Sequence, residues 1–122
     1  MTRHLYASDA SMYAIEPLAV AFPRDADDVA AAVAITAEHG VPLIPRGAGT
    51  GLAGQAIGRG VVLDCSRHLD RVLDVDPAAR VAVVEPGVVQ DDLNRAVAPA
   101  GLAFGPDTST ADRCTLGGMI GT

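Results

Sequence analysis

A run of closely spaced glycines near the middle of the chain, residues 46–60 (the glycine segment), constrains the fold most. Gly47, Gly49 and Gly51 occupy alternate positions there. Because glycine adopts conformations that other residues avoid, successive N–H groups of such a loop can converge as an anion-binding nest. Arg46 adds a guanidinium and Thr50 a hydroxyl, and both groups bind phosphate oxygens. The segment therefore predicts a pyrophosphate-binding loop, and the alternative is a flexible surface loop.

Two familiar nucleotide-binding motifs fit this segment poorly. Residues 49–54 satisfy the pattern G-x-G-x-x-G of Rossmann folds, but that motif opens a long helix. Residues 55–60 are too short and too rich in glycine to form one. The acid that binds ribose is expected about 20 residues further on, whereas Asp64 comes much earlier. A P-loop is excluded because the chain contains no lysine.

The hydrophobic pattern before the glycine segment predicts a β-α-β unit. Residues 18–22 form a short apolar run that is typical of a buried strand. Asp25 is predicted to cap the N-terminus of a helix that ends near Gly40. Residues 41–44 then form the next predicted strand, and this connectivity implies parallel strands. The inner face of the helix is predicted to consist of residues at three- and four-residue spacing: Val29, Ala32, Val33, Thr36 and Ala37.

Downstream of the glycine segment the pattern predicts more strands and a second helix. The predicted strands are 61–64, 72–75 and 80–84. Residues 76–79 have good turn chemistry between the last two strands. A short helix is predicted around Leu93 and Val97, and residues 104–122 are predicted to be a loop.

Composition excludes several kinds of partner. The 122 residues carry 9 basic and 15 acidic side chains, a net charge of −6, and the basic residues are scattered arginines. Nucleic acid and anionic membrane surfaces are excluded as main partners, because both attract clustered cations. No stretch approaches the roughly 20 apolar residues of a membrane-spanning helix. Cys65 and Cys114 fit neither a zinc site nor a disulfide framework, so we expect reduced thiols and a cytoplasmic location.

Conventional catalytic groups are poorly represented. The serines lack the G-x-S-x-G context of a nucleophile, and the three histidines have no evident partner. Asp70, Asp74 and Asp76 lie near or within predicted strands, and their spacing favours solvent-facing positions over a metal cluster. We therefore assign no catalytic residue and no metal ligand.

A second informative stretch lies at residues 105–118. It is rich in hydroxyl groups and backbone donors but carries few large side chains. Gly117 and Gly118 permit close contact with a polar cofactor. Alone, this stretch is an ordinary Ser/Thr loop, and it becomes informative because it follows the glycine segment in one chain.

Together these residues resemble the FAD-binding (PCMH-type) domain of the vanillyl-alcohol oxidase/p-cresol methylhydroxylase flavoprotein family. The stretches that carry the resemblance are 17–23 (PLAVAFP), 41–54 (VPLIPRGAGTGLAG), 62–67 (VLDCSR), 84–88 (VEPGV), 106–110 (PDTST) and 114–121 (CTLGGMIG). Several spaced motifs in one order are more specific than a single loop. Within the family, the chain is most similar to the branch with the glycolate oxidase D-subunit, D-lactate dehydrogenase and D-2-hydroxyglutarate dehydrogenase.

The resemblance implies an α+β, two-subdomain PCMH-type FAD-binding fold that is incomplete at its C-terminus. Residues 17–58 would form the βαβ first subdomain. Residues 59–122 would open a second subdomain with a mixed sheet, and FAD would lie between the two. The chain 1–122 would then be a partial FAD-binding domain without the substrate cap domain of the family.

The resemblance also implies which residues contact FAD. The predicted contacts are Pro45, Arg46, Gly47, Ala48, Gly49, Thr50, Gly51, Leu52, Gln55, Ala56, Pro106, Asp107, Thr108, Thr110, Cys114, Thr115, Gly117, Gly118, Ile120 and Gly121. Some members of the family attach FAD covalently through a histidine in the glycine loop. Thr50 stands at the matching position here, so non-covalent FAD is expected.

The function implied by the resemblance is that of a flavin-linked dehydrogenase or oxidase acting on CH–OH groups. Its substrate would be a D-2-hydroxy acid of the D-lactate, glycolate or D-2-hydroxyglutarate type. Its electron acceptor would be a quinone, a cytochrome or an iron–sulfur segment. Catalytic groups are expected in the cap domain, so the 122 residues alone would be inactive. The alternatives are a UDP-N-acetylmuramate-type reductase, a sugar-lactone oxidase and a non-catalytic flavin-binding fragment.

Overall fold

The computed structural model describes residues 1–121 and contains a small parallel sheet. Its strands are β1 (Ala19–Ala21), β2 (Leu43–Arg46) and β3 (Val61–Asp64). Their order is β1-β3-β2, and both outer strands run parallel to β3. Because all three strands point the same way, their carboxyl ends meet at one edge of the sheet.

A helix connects β1 to β2, as predicted. α2 (Ala26–Glu38) begins where the carboxylate of Asp25 accepts a hydrogen bond from the Asp28 N–H at 2.9 Å. It ends before Gly40, whose φ of +62° is a left-handed conformation that glycine adopts more easily than other residues. These local signals explain why the sequence predicted both ends of the helix.

The inner face of α2 is narrower than predicted. Val29 and Ala32 are half-buried and Thr36 is buried, whereas Ala37 is exposed and Val33 is 49% exposed. A sheet of three short strands covers only one stripe of a helix. The buried stripe therefore follows residues 29, 32 and 36.

β3 is the central strand of the parallel sheet. The glycine segment carries the chain back across the sheet, and β3 enters between β1 and β2. Val62, at the centre of β3, is completely buried. The first sheet therefore includes residues beyond the βαβ unit.

The next two strands form an antiparallel hairpin. They are β4 (Val72–Asp76) and β5 (Val81–Val84), with an irregularity in register after Val72. The carboxylate of Asp76 accepts hydrogen bonds from the N–H groups of Ala78 and Ala79, both at 2.9 Å. This side-chain turn explains why residues 76–79 could be predicted.

A helix and a second hydrophobic core follow the hairpin. α3 (Gln90–Val97) is amphipathic, and it continues into a 3-10 turn at residues 98–100. Leu93 and Val97 pack with Val88 and Leu116 in the core. The partly buried residues around them are Val72, Val75, Ala82, Val84, Leu102, Phe104 and Met119.

Two short helices were not predicted: α1 (Thr2–Leu5) and α4 (Leu116–Ile120). Helices this short are not stable by themselves and depend on tertiary contacts. For α4 those contacts are backbone hydrogen bonds from the Leu116 N–H to the Val88 carbonyl and from the Gly117 N–H to the Pro86 carbonyl, each 2.9 Å.

Several residues considered in the sequence lie at the surface. Asp70, Asp74 and Asp76 are exposed, and residues 1–121 contain no group of three potential metal ligands. His39 ends α2, where its Nδ1 lies 2.9 Å from the Ile35 carbonyl oxygen.

Across residues 1–121, every helix is too short or too polar to cross a membrane.

The two sheets meet at Gly87, which is buried. Its N–H donates a hydrogen bond to the Leu69 carbonyl at 2.7 Å. A Cβ at Gly87 would lie 2.6 Å from that oxygen and closer still to the Cys65 carbonyl oxygen. Both obstacles are backbone atoms, so the junction has no room for a side chain.

We expect Gly87→Ala to destabilise the protein by about 1–3 kcal/mol, because the added methyl group forces the two backbones apart. Urea unfolding measures this loss. Gly105→Ala is the matched control, since a Cβ there meets no atom within 4 Å. Equal stability of the two variants would contradict the packing described here.

Candidate functional site

A cleft of about 310 Å³ separates the glycine segment from the last part of the chain. Residues 45–51, which include the end of β2, form one wall, and residues 108–121 contribute the opposite wall. In open α/β sheets, ligands bind beyond the carboxyl ends of parallel strands. The cleft therefore lies where this type of sheet places a ligand.

The glycine wall presents unused backbone donors. Among residues 1–121, no carbonyl or side-chain acceptor takes a hydrogen bond from the N–H groups of residues 47–51. The start of the loop is fixed because the Arg46 carbonyl accepts a hydrogen bond from the Cys65 N–H at 2.9 Å. Gly49, with φ of +71°, turns the chain in the way an anion-binding nest requires. The wall therefore fits a ligand with several anionic oxygens.

Arg46 supplies positive charge next to these donors. Its Nη1 donates a hydrogen bond to the Ala56 carbonyl at 3.3 Å, and its guanidinium carbon lies 5.1 Å from the centre of the Tyr6 ring. A Cβ at Gly49 would lie 2.7 Å from Arg46 Nη2, so glycine is needed for this close approach. Within residues 1–121 the guanidinium forms no ion pair with a carboxylate. Its charge therefore remains available to an anionic ligand.

Gln90, which is 2% exposed, fixes the opposite wall. Its Nε2 donates a hydrogen bond to the Pro106 carbonyl at 2.6 Å. Its Oε1 accepts a hydrogen bond from the Thr108 hydroxyl at 2.8 Å and lies 3.4 Å from Cys114 Sγ. The sequence analysis missed this residue. The sequence did contain a signal for it: Gln90 lies at helical spacing from Leu93 and Val97, which places it on the inner face of α3.

Thr115 has a buried hydroxyl group that the protein leaves unsatisfied. The residue is 3% exposed, and its Oγ1 has no hydrogen-bond partner within residues 1–121. It lines the cleft and touches Gly47 so closely that a Cβ at Gly47 would collide with it. A buried polar group without a partner is costly, so a ligand that supplies one fits this position. The free amides, the charge of Arg46 and this hydroxyl together fit a pyrophosphate-containing cofactor such as FAD.

Cys65, Pro86 and Met119 also line the cleft, although they were not among the predicted site residues. All three lie in stretches that carry the family resemblance, which was the available signal. Burial, and then the charge of Asp64, raises the pKa of the Cys65 thiol above its ordinary value. The thiol is therefore neutral at physiological pH and a weak nucleophile.

All but four of the predicted contact residues line this single cleft. The exceptions are Leu52, Pro106, Asp107 and Ile120. Leu52 and Ile120 are 77% and 84% exposed, and the Pro106 carbonyl is bonded to Gln90. Contact with FAD stays a prediction for all the predicted residues, including these four.

A buried carboxylate lies at the sheet edge beside the cleft. Asp64 accepts hydrogen bonds from the Tyr6 hydroxyl at 2.5 Å and from the N–H and hydroxyl of Ser66 at 2.8 and 2.6 Å. Burial of Tyr6, followed by its hydrogen bond to Asp64 and the charge of that carboxylate, raises the pKa of Tyr6 to about 12. The phenol therefore remains a hydrogen-bond donor at physiological pH.

Comparison with known proteins gives consistent matches. A family model described as "FAD binding domain" matches residues 17–122. A D-2-hydroxyglutarate dehydrogenase of Pseudomonas putida is 45% identical over 124 residues, 99% of this chain and 12% of the relative. The glycolate oxidase subunit GlcD of Bacillus subtilis is 39% identical over 121 residues, 97% of this chain and 26% of the relative.

The architecture is also similar to a solved structure. An alkyldihydroxyacetonephosphate synthase superposes with a TM-score of 0.71 at 27% sequence identity. The match covers 83% of this chain and 21% of that structure. The chain thus spans only a small part of the proteins it resembles.

The pKa of Tyr6 predicts how stability changes at high pH. It is about 12 in the folded protein and 10.0 in a model compound, so only the unfolded chain loses this proton between those values. The stabilisation is therefore complete below about pH 10 and falls as the pH rises toward 12. Between about pH 9.5 and 11, we expect the free energy of unfolding to fall less in Tyr6→Phe than in wild type, as measured by urea unfolding. Parallel losses would contradict the assignment.

The contact between Gly47 and Thr115 predicts a defect in cofactor binding. We expect Gly47→Ala to weaken FAD binding about tenfold or more, which corresponds to at least about 1.4 kcal/mol, because its methyl group displaces Thr115. Titration of the apoprotein with FAD, followed by flavin fluorescence, measures the change. Adding Thr115→Ala removes the colliding oxygen and should restore part of the affinity, while Gly105→Ala is the neutral control. Wild-type affinity in Gly47→Ala would contradict this arrangement.

Proposed function

Since the chain belongs to the FAD-binding domain family, we propose that it is the cofactor-binding part of a flavin-linked oxidoreductase acting on a D-2-hydroxy acid. The observation that carries the proposal is the cleft itself. One of its walls combines the free amides of residues 47–51 with the cation of Arg46. The other wall contributes the unsatisfied hydroxyl of Thr115.

The residues of the chain bind and orient the cofactor. The amides of residues 47–51 and the guanidinium of Arg46 bind pyrophosphate oxygens, and Thr115 donates or accepts a hydrogen bond inside the cleft. Bound FAD supplies the two-electron acceptor for the oxidation of the hydroxyl-bearing carbon. FAD would be held non-covalently, because Thr50 stands at the position where some members of the family carry the histidine that attaches FAD.

The names of the relatives support the substrate class, since both D-2-hydroxyglutarate and glycolate are 2-hydroxy acids. The chain spans only 12% and 26% of the lengths of these relatives. The electron acceptor of the holoprotein would be a quinone, a cytochrome or an iron–sulfur segment. The two free thiols, Cys65 and Cys114, support a location in the cytoplasm.

The deciding experiment is a visible absorption spectrum of the holoprotein before and after the addition of substrate. We expect flavin bands that bleach anaerobically with D-2-hydroxyglutarate, D-lactate or glycolate. L-lactate is the stereochemical control for D-lactate and should leave the bands unchanged.

Other spectral outcomes separate the parts of the proposal. Flavin bands that persist with every D-2-hydroxy acid would overturn the substrate class and keep the cofactor. A colourless protein that takes up no added FAD would overturn the proposed function as a whole.

A further inference from the structure

The N-terminal residues 2–16, which we term the strap, lie outside the segment that matches the family but contact its binding loop. The family match begins at residue 17. The strap folds back on itself, because the Ile15 N–H donates a hydrogen bond to the Ala7 carbonyl at 2.7 Å and Ser8 forms a bridge with Ala14. It is therefore an ordered structure laid against the glycine segment.

Tyr6 of the strap contacts the carboxyl end of every strand in the parallel sheet. Its ring lies edge-on to Phe22, just beyond β1, with centroids 5.9 Å apart. The guanidinium of Arg46, the last residue of β2, lies 5.1 Å from the centre of the same ring. Its hydroxyl donates to the carboxylate of Asp64, the last residue of β3. One side chain thus spans the edge from which the binding loop departs.

The strap also holds the glycine segment at two points. The Ala10 N–H donates a hydrogen bond to the Gly49 carbonyl at 2.9 Å. The carboxylate of Asp9 accepts a hydrogen bond from the Ala56 N–H at 3.4 Å and one from the Ser11 N–H at 2.9 Å. Partial burial disfavours the charge of Asp9, but the hydrogen bonds from Ser11 and Ala56, with the charge of Arg46, hold its pKa below the ordinary value. The loop is thus fixed on both sides of residues 50–55.

These contacts restrict the side chain of Arg46. Its guanidinium is enclosed by the Tyr6 ring, the Ala56 carbonyl and the backbone of Gly49. A free arginine side chain loses rotamer entropy when it is ordered. Here that entropy is lost on folding, so less is lost when an anion binds.

We propose that the strap is a positioning element for the cofactor, in which Tyr6 orients Arg46 and Asp9 fixes the glycine segment in its binding conformation. This inference rests on the proposed function, because it takes FAD as the ligand of the cleft. It adds that residues outside the family match set the affinity of the site.

The first test measures the affinity of the apoprotein for FAD by flavin fluorescence. We expect Tyr6→Leu and Asp9→Ala each to weaken binding about tenfold. Tyr6→Phe keeps the ring on Arg46 and should weaken binding less than Tyr6→Leu. His4→Ala is the matched control, since His4 is an exposed residue of α1, at the start of the strap. Unchanged affinity in Tyr6→Leu and Asp9→Ala would overturn the proposal.

A double-mutant cycle separates positioning from general destabilisation. If Tyr6 acts through Arg46, the effect of Tyr6→Leu on FAD affinity disappears when Arg46→Met is already present. Fully additive effects would show that Tyr6 supports the fold without orienting Arg46, and would overturn that part of the proposal. The cycle reads binding alone and needs no substrate.

Limited trypsin digestion of the apoprotein tests the role of Asp9 without any ligand. The glycine segment contains the cleavage sites after Arg46 and Arg59, and the hairpin turn contains a reference site after Arg80. We expect Asp9→Ala to raise cleavage at the first two sites relative to the reference site, and His4→Ala to leave the ratio unchanged. An unchanged ratio in Asp9→Ala would overturn its assignment. Because the digestion needs no FAD, it tests the strap independently of the proposed function. Wild-type protein that binds no FAD would refute the proposed function.

Discussion

The carboxylate of Asp64 stands at the end of the central strand, where it is buried and accepts hydrogen bonds from Tyr6 and Ser66. A buried charge is costly unless hydrogen-bond donors surround it, so these donors have to be brought to one point. Ser66 arrives through the turn after β3, and Tyr6 arrives from the strap far away in sequence. Satisfying this single carboxylate therefore fixes the edge of the sheet from which the glycine segment departs.

The backbones of the two cleft walls differ in how they are hydrogen-bonded. The first wall is a loop whose amides remain free because it only connects two parallel strands. The second wall is hydrogen-bonded to the backbone of residues 86–90, and Gln90 bonds the Pro106 carbonyl and the Thr108 hydroxyl. The walls approach each other at Gly47, where a Cβ would collide with the hydroxyl of Thr115. The absence of a side chain at Gly47 thus allows the two walls to lie close together.

The parts of the structure that the sequence predicted are those with local causes. The N-cap at Asp25 and the turn at Asp76 depend on atoms a few residues away. The central position of β3 and the one-turn helix α4 depend on partners distant in sequence, which no local pattern reports. For the site, the resemblance indicated most residues of the cleft. Gln90 and the strap were missed because they act through other residues.

The strand order β1-β3-β2 has a consequence for synthesis on the ribosome. β1 and β2 are made first, but neither has a hydrogen-bonding partner in the sheet until residues 61–64 have left the exit tunnel. Pairings between residues so far apart in sequence form slowly, and unpaired strand edges are prone to aggregate in the meantime. The nascent chain therefore stays incompletely folded while the glycine segment is being made. Its sheet forms around the last of its three strands.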